Sequence, residues 1–276
     1  MNNIDWLSRT QLLVGRERLE NFFNARVLVL GLGGVGAYAA ELICRAGIGE
    51  MTIVDGDKVD ISNRNRQLPA LSSTQGKSKA EVVAQRLKDI NPELRLSVIG
   101  EYIEDRCMEE LVTKNFDYVV DAIDTLSPKV NLIFQCVKNG VPVISSMGAG
   151  AKFDPSQVRV ADISESYNCT LARKIRKRLY KLGVYKGCKV VFSPEEIVKE
   201  SVIIDLQRNK KSTVGTISYM PPIFGCYCAS VVIRHIMTQE KTGLNLSAPG
   251  PSPESGFSEP QAKSFSVSDE EQDVLS

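Results

Sequence analysis

Histidine is almost missing from this chain: His235 is the only one among 276 residues. A multi-histidine metal site is thereby excluded, and a histidine-based catalytic triad has little to be built from. His235 lies in an apolar segment and is expected to cap or pack a helix. Paired cysteines are missing as well. The seven cysteines, at positions 44, 107, 136, 169, 188, 226 and 228, lack the close spacing of a disulfide scaffold and the C-x-x-C pairs of a zinc site, so reduced thiols are expected. Cys226-Tyr227-Cys228 has the wrong spacing for structural zinc and is expected to supply small buried hydrophobes. No apolar run approaches the roughly 20 residues that cross a membrane. The opening Met1-Asn2-Asn3-Ile4-Asp5-Trp6 has neither the basic lead nor the apolar stretch of a secretory signal, and the expectation is a cytoplasmic protein. Repeats of solenoid period are also absent.

What is present begins at Arg26. An apolar run to Leu30 is followed by Gly31-Leu32-Gly33-Gly34-Val35-Gly36, a helical stretch, and then Met51-Thr52-Ile53-Val54-Asp55-Gly56-Asp57. This order predicts a strand, a glycine turn, a helix and a second strand ending in acid. Glycines allow a tight turn and bring backbone N–H groups up to a phosphate at the helix N-terminus, while Asp55 can accept from a ribose hydroxyl. A nucleotide is the expected ligand. An NAD-dependent dehydrogenase would need a proton-transfer group beside the nicotinamide, and none is evident with His235 as the sole histidine. The segments that follow, Ser62-Asn63-Arg64-Asn65-Arg66-Gln67 and Gly76-Lys77-Ser78-Lys79, bring cations and point to ATP.

Further apolar runs at Leu94 to Ile99, Tyr118 to Ile123 and Val141 to Ile144 alternate with helical patterns near 35–47, 76–90, 104–115 and 129–139. Strand alternating with helix predicts an α/β fold: a Rossmann-like, doubly wound, mostly parallel sheet. Residues 1–24 read as a helical lead-in with Leu12, Leu13, Leu19, Phe22 and Phe23 as its apolar positions. The main domain spans 25–239, and its C-terminal half is less regular. It offers strands at Gln157 to Ile163 and Lys189 to Phe192, a basic helix over 171–182 and an apolar helix from about 223 to 238. Residues 240–276 are rich in Ser, Pro and acids and are expected to be a disordered tail.

In an open parallel sheet, ligands bind beyond the carboxyl ends of the strands. Four parts of an ATP site are available: Gly31, Gly33, Gly34 and Gly36 as backbone donors, Asp55 for the ribose, Arg66 and Lys79 for the phosphates, and Asp124 to hold Mg2+; the glycine turn, Asp55 and Asp124 fall at that edge. Asp57 is ambiguous between ribose and metal, and Asp121 between a helix and a loop contact.

Charge adds a second theme. The formal net charge is +1, yet Ser247 to Ser276 holds six acids against one lysine, a net −5, so the rest of the chain carries +6. A cationic body suits a polyanionic partner such as RNA. Arg173, Lys174, Arg176, Lys177, Arg178 and Lys181 crowd one helix without an acid, opposite an expected apolar face of Leu171, Ile175, Leu179 and Leu182. Such a face points to phosphate-backbone contact, which positions RNA without reading its sequence.

The run from Gly31 through Asp55-Gly56-Asp57, Ser62-Asn63, Arg66-Gln67, Gly76-x-x-Lys79 and Asp121-x-x-Asp124 resembles the adenylation domain of the ubiquitin-activating-enzyme-like superfamily. Within it, Gly33 to Glu41, Asp121-Ala122-Ile123-Asp124, Ser146 to Ala151 with Asp154-Pro155, and Leu171 to Leu179 resemble the tRNA threonylcarbamoyladenosine dehydratase branch, over residues 9 to about 238. The resemblance implies an ATP-dependent cyclising ligase acting on tRNA. ATP would activate the carboxylate of the threonylcarbamoyl group on the adenosine beside the anticodon, and the acyl group would close to a ring. It further implies that Asp55 holds the ribose, Asn63, Arg66 and Lys79 the phosphates, and Asp124 the magnesium, with Gln67 bracing them. A homodimer is implied, with Arg9 or Arg16 reaching the partner's ATP. Some members carry a cysteine before the final helix; Thr213 to Pro222 has none. Cys169, ahead of the basic helix, reads either as an incidental thiol or as one that meets a sulfur-relay partner. The alternative activity is adenylation of a small ubiquitin-like sulfur carrier, whose adenylators often bear the C-x-x-C zinc pairs missing here. A nucleotide-binding scaffold without turnover is disfavoured by the intact Arg66, Lys79 and Asp124.

Overall fold

The structure is a computed structural model that describes residues 5–103, 105–197, 201–203 and 213–239. The segment expected to be a disordered tail, 240–276, lies outside the described residues. A 3-10 turn leads into α1 (Ser8–Val14) and α2 (Arg16–Asn24), followed by β1 (Arg26–Leu30), α3 (Gly36–Arg45), β2 (Glu50–Val54), α4 (Lys79–Ile90), β3 (Arg95–Ile99), α5 (Asp105–Val112), β4 (Tyr118–Asp121), α6 (Leu126–Lys138) and β5 (Val143–Ser146). The second half adds β6 (Arg159–Asp162), α7 (Thr170–Lys181), β7 (Lys189–Phe192), the short β8 (Val202–Ile203) and β9 (Thr213–Val214), and α8 (Met220–Met237).

Among the described residues seven strands form one sheet in the order β3-β2-β1-β4-β5-β7-β6. All neighbours run parallel except β6, which closes the edge antiparallel to β7. The continuous apolar runs of β1, β2, β4 and β5 follow from burial on both faces. One core lies under α2, α3, α4 and α8, with Phe22, Ile43, Phe224 and Val232 fully buried; the other lies under α5, α6 and α7, with Leu132, Ile175 and Leu179. Because β1 has β2 on one side and β4 on the other, the winding reverses at β1, which opens a crevice at its carboxyl end.

Five sequence-based expectations are corrected. Leu12 and Leu13 point outward, 88% and 85% exposed, whereas Leu19 and Phe22 enter the core. Leu182 ends up exposed at the end of α7, whereas Leu171, Ile175 and Leu179 pack as expected, joined by Ala172. Cys226 is exposed and only Cys228 is buried, since two helix steps turn a side chain about 200°. Among the described residues one helix, α8, is long and apolar enough to span a membrane by length and composition alone, but half of it is buried against α3, α2 and the sheet. It begins at Met220, earlier than expected, because Pro221 and Pro222 are tolerated in a first helical turn. His235 packs edge-on against Tyr118, with ring centroids 4.9 Å apart.

Candidate active site

Beyond β1 the chain turns sharply. Gly31 adopts φ +85°, and a Cβ there would lie 2.6 Å from the Ala122 carbonyl oxygen. At Gly36, the first residue of α3, a Cβ would lie 1.8 Å from the Gly31 carbonyl oxygen. A side chain is thus excluded at both ends of the turn, which keeps its backbone open at the N-terminus of α3.

Asp55, just past β2, faces this turn. Its Oδ2 accepts from the Leu32 N–H at 2.6 Å and its Oδ1 from the Asp57 N–H at 2.7 Å. Burial pushes its carboxyl above the usual range, opposed by those two N–H groups and by the charge of Lys79. Each oxygen retains a lone pair with which to accept a ribose hydroxyl.

Lys79 opens α4 with its side chain only 6% exposed, and its Nζ lies 2.8 Å from Asp57 Oδ2. Asp57 thus holds Lys79 in place. The Tyr102 hydroxyl donates to the other Asp57 oxygen, and this bond pushes the phenol up to about 12. Tyr102 follows β3 and lies across Gly56, where a Cβ would come within 2.9 Å of its ring. Sequence reasoning missed it: a lone tyrosine carries no motif, and the one available signal was its place past the third strand, at the same sheet edge.

Asn63, Arg66 and Gln67 stand on the loop after β2. Asn63 Oδ1 accepts from the Asp60 N–H at 3.1 Å, closing a capping box on a 3-10 turn. Arg66 donates through Nη1 to the Ser62 carbonyl at 2.9 Å and to Asn65 Oδ1 at 2.7 Å. Among the described residues no carboxylate pairs with this guanidinium, so its charge remains for a ligand. Gln67 approaches Gly33, and its Oε1 is buried without a hydrogen-bond partner among the described residues. Asp124 is exposed in the loop after β4. Asp121 is instead buried, 2.9 Å from Lys129 Nζ, and serves the frame.

The structure therefore joins the glycine turn, Asp55, Asp57 and Lys79 by direct hydrogen bonds, with Gln67 against the turn and Asn63, Arg66 and Asp124 on flanking loops. The glycine-opened turn and the orphaned Gln67 acceptor fit a nucleoside triphosphate. Among the described residues no three of His, Cys, Asp or Glu cluster as metal ligands. Mg2+ commonly binds through one or two carboxylates and ligand phosphates, so a single carboxylate on a flanking loop would be chemically sufficient to hold it.

On α7, Arg173, Lys174, Lys177, Arg178 and Lys181 are exposed. Arg178 donates to Ser127 Oγ at 2.9 Å. Arg176 differs: it turns inward, and its Nη1 donates to the carbonyls of Ile163 (3.2 Å) and Ser166 (2.7 Å) and to Ser166 Oγ. It therefore stands apart from the other five as a tether for the turn before α7. Tyr180 and Tyr185, unremarked in the sequence, form an exposed pair at the end of the helix with centroids 5.2 Å apart.

Residues 7–266 match the ThiF family model. The tRNA threonylcarbamoyladenosine dehydratase of Bacillus subtilis is 37% identical over 238 residues, covering 83% of this chain and 94% of that one. The Escherichia coli enzyme of the same name is 40% identical over 196 residues, covering 68% of this chain and 73% of that one. This chain belongs to the tRNA threonylcarbamoyladenosine dehydratase branch of the ThiF family. The fold agrees: the crystal structure of the Escherichia coli dehydratase in complex with ATP superposes with a TM-score of 0.78 at 34% identity, covering 85% of this chain and 94% of that one. The parallel sheet and crevice described above are thus the frame of this dehydratase branch.

Proposed function

We propose that this chain is an ATP-dependent tRNA dehydratase. It adenylates the carboxylate of a threonylcarbamoyl group on the adenosine beside the anticodon and lets the activated acyl group close into a ring. The observation that carries the reading is the combination, in one member of this branch, of an open phosphate cradle backed by Lys79 and Arg66 with an acid-free cationic helix, α7.

ATP is a substrate here. The substrate carboxylate is already ionised; one of its oxygens bonds to the α-phosphorus as the bond to the β-phosphate breaks and pyrophosphate leaves. A nitrogen of the carbamoyl group then bonds to the acyl carbon and gives up its proton as the acyl–oxygen bond breaks; AMP leaves with that oxygen, so relative to its acid form the nucleoside loses one water. Asp55 holds the ribose, and Gly31, Gly33, Gly34 and Gly36 keep the cradle open. Lys79, aimed by Asp57, and Arg66 and Asn63 face the phosphates, where cations lower the cost of bringing two anions together. Gln67 braces the turn. Mg2+, held by Asp124, would screen the phosphate charge. Ring closure needs orientation and a good leaving group more than a strong base.

Arg173, Lys174, Lys177, Arg178 and Lys181 hold the tRNA backbone; Arg176 supports the helix that carries them. The exposed Leu12 and Leu13 support a homodimer formed through the N-terminal helices, with Arg9 or Arg16 reaching the partner's nucleotide. Seven free thiols support a cytoplasmic setting. Cys169, partly exposed at the start of α7, is the thiol a sulfur-relay partner would meet.

The test is mass spectrometry of nucleosides from threonylcarbamoylated tRNA incubated with the protein, ATP and magnesium. An ATP-dependent loss of one water, absent with Lys79→Ala and Asp124→Ala, is expected. An unchanged nucleoside alongside pyrophosphate exchange stimulated by a small carrier protein would move the assignment to carrier adenylation.

A further inference from the structure

Lys152 is a buried cation that the mechanism above does not use. It is 4% exposed, and its Nζ donates to the backbone carbonyl of Glu195. Among the described residues no carboxylate stands within ion-pair distance. The Glu195 carboxylate is engaged elsewhere, accepting from the Phe153 N–H at 2.9 and 3.1 Å and the Asp154 N–H at 3.1 Å. Burial pushes the Lys152 ammonium down, against the smaller pull of Cys169 and Glu195. A buried charge without a counter-ion is costly unless a ligand supplies one.

Further observations tie the wall around this lysine to the nucleotide crevice. Lys152 lines a cavity of about 240 Å³ with Ala151, Phe153, Ser201, Gly215 and Thr216 among its walls. The residue before it, Ala151, is held at φ +55°, a strained conformation for alanine, by its N–H bond to the Gly215 carbonyl at 2.8 Å. The same wall reaches the phosphate-facing loop, since Asn65 Nδ2 donates to the Thr216 carbonyl at 2.9 Å. Farther along this segment, Pro221 packs so closely on the glycine turn that a Cβ on Gly34 would lie 2.8 Å from it.

We propose that this cavity receives the acyl substrate, an amino-acid-derived side chain ending in a carboxylate, and that Lys152 is the residue that binds that carboxylate. The inference rests on the functional reading above and deepens it by naming the acyl subsite. A lysine cation against one carboxylate oxygen leaves the other free to attack. It also offsets the repulsion between a carboxylate and the phosphates it approaches.

The test compares binding of the threonylcarbamoyladenosine nucleoside with that of its neutral carboxamide, by calorimetry, to the wild-type chain and to Lys152→Met. Wild type is expected to prefer the carboxylate by on the order of 10- to 100-fold, as for a charge-assisted hydrogen bond, and Lys152→Met to lose that preference while keeping its affinity for ATP. A second measurement on the wild type avoids dependence on the variant's folding. Acetylation of Lys152, followed by peptide mass spectrometry, should be slowed several-fold by the carboxylate nucleoside and unaffected by the carboxamide. If wild type dehydrates modified tRNA but Lys152→Met keeps the preference, or if the two nucleosides protect Lys152 equally, the acyl-subsite inference is overturned and the dehydratase reading stands. If wild type leaves the modified tRNA unchanged, it is the dehydratase reading that fails.

Discussion

Lys129 Nζ lies 2.9 Å from Asp121 Oδ2, and neither side chain reaches solvent. Ser145 Oγ also donates to Oδ2, at 2.6 Å, and the Ile123 N–H donates to Oδ1 at 3.1 Å. Lys129 further donates to the Ile123 carbonyl at 3.0 Å. The network therefore ties α6 and β5 to the first turn of the loop that carries Asp124. Removing one partner would leave the other charge buried and uncompensated. Lys129→Met is expected to cost about 3–5 kcal/mol of stability in urea unfolding, and replacing both partners with apolar residues to cost much less. A single-variant loss below about 1 kcal/mol would show that the pair does not hold the frame.

Lys79 opens α4 with its Nζ held on Asp57, and in the proposed function it is set against the phosphates. Lys79→Ala should lower the single-turnover rate of dehydration by about 10²–10³, the usual cost of deleting one donor aimed at developing charge. Asp57→Asn should cost less, since the amide still accepts a hydrogen bond. Stability should change by under about 1 kcal/mol in that variant, because Asp57 is 44% exposed. A Lys79→Ala enzyme within a few-fold of wild type would remove this lysine from the reaction.

Much of the crevice was legible because its signals are local. The β1 run and the glycine turn are consecutive in sequence and Asp55 directly follows the next strand, while burial of β1 on both faces makes its apolar run continuous. What escaped reading depends on partners distant in sequence. Nothing near Arg176 distinguishes it from Lys177, yet the carbonyls of Ile163 and Ser166 draw it inward. Asp121 was ambiguous until the fold placed Lys129 one helical turn into α6. Leu12 and Leu13 show the limit of periodicity: an apolar position on a helix marks a surface to be covered, whether by this chain or by another. Lys152 sat beside a glycine-rich stretch and gained significance only once the strained Ala151 and the cavity wall were seen together.

The single histidine makes one pH effect separable. His235, packed against Tyr118, has its pKa pushed below the ordinary 6.5 by burial, with the charge of Lys189 adding to this and Asp117 opposing it. The folded state thus binds fewer protons than the unfolded state just below pH 6.5, and stability must rise with pH across that window. On acidification the loss begins near 6.5 and stops growing once pH passes the folded value. His235→Gln is expected to remove this component from a urea-unfolding series between pH 7 and pH 5. If wild type and variant show the same slope, burial does not govern this histidine.

The five exposed cations of α7 and the inward Arg176 should separate in a salt titration of tRNA binding. Each phosphate contact releases condensed counterions, so log K falls with log salt by somewhat under one unit per contact. Replacing Lys174, Lys177 and Lys181 together by glutamine should weaken binding at low salt and flatten that slope by roughly two to three units. Unfolding midpoints should hardly move, because all three side chains are exposed. Arg176→Ala should do the reverse. It leaves the Ile163 and Ser166 carbonyls and the Ser166 hydroxyl without their shared donor, which destabilises the chain by about 1–3 kcal/mol with little change in salt slope. A triple variant with an unaltered slope would remove α7 from the tRNA surface. An Arg176→Ala variant that flattens the slope without losing stability would return that arginine to the phosphate-binding face.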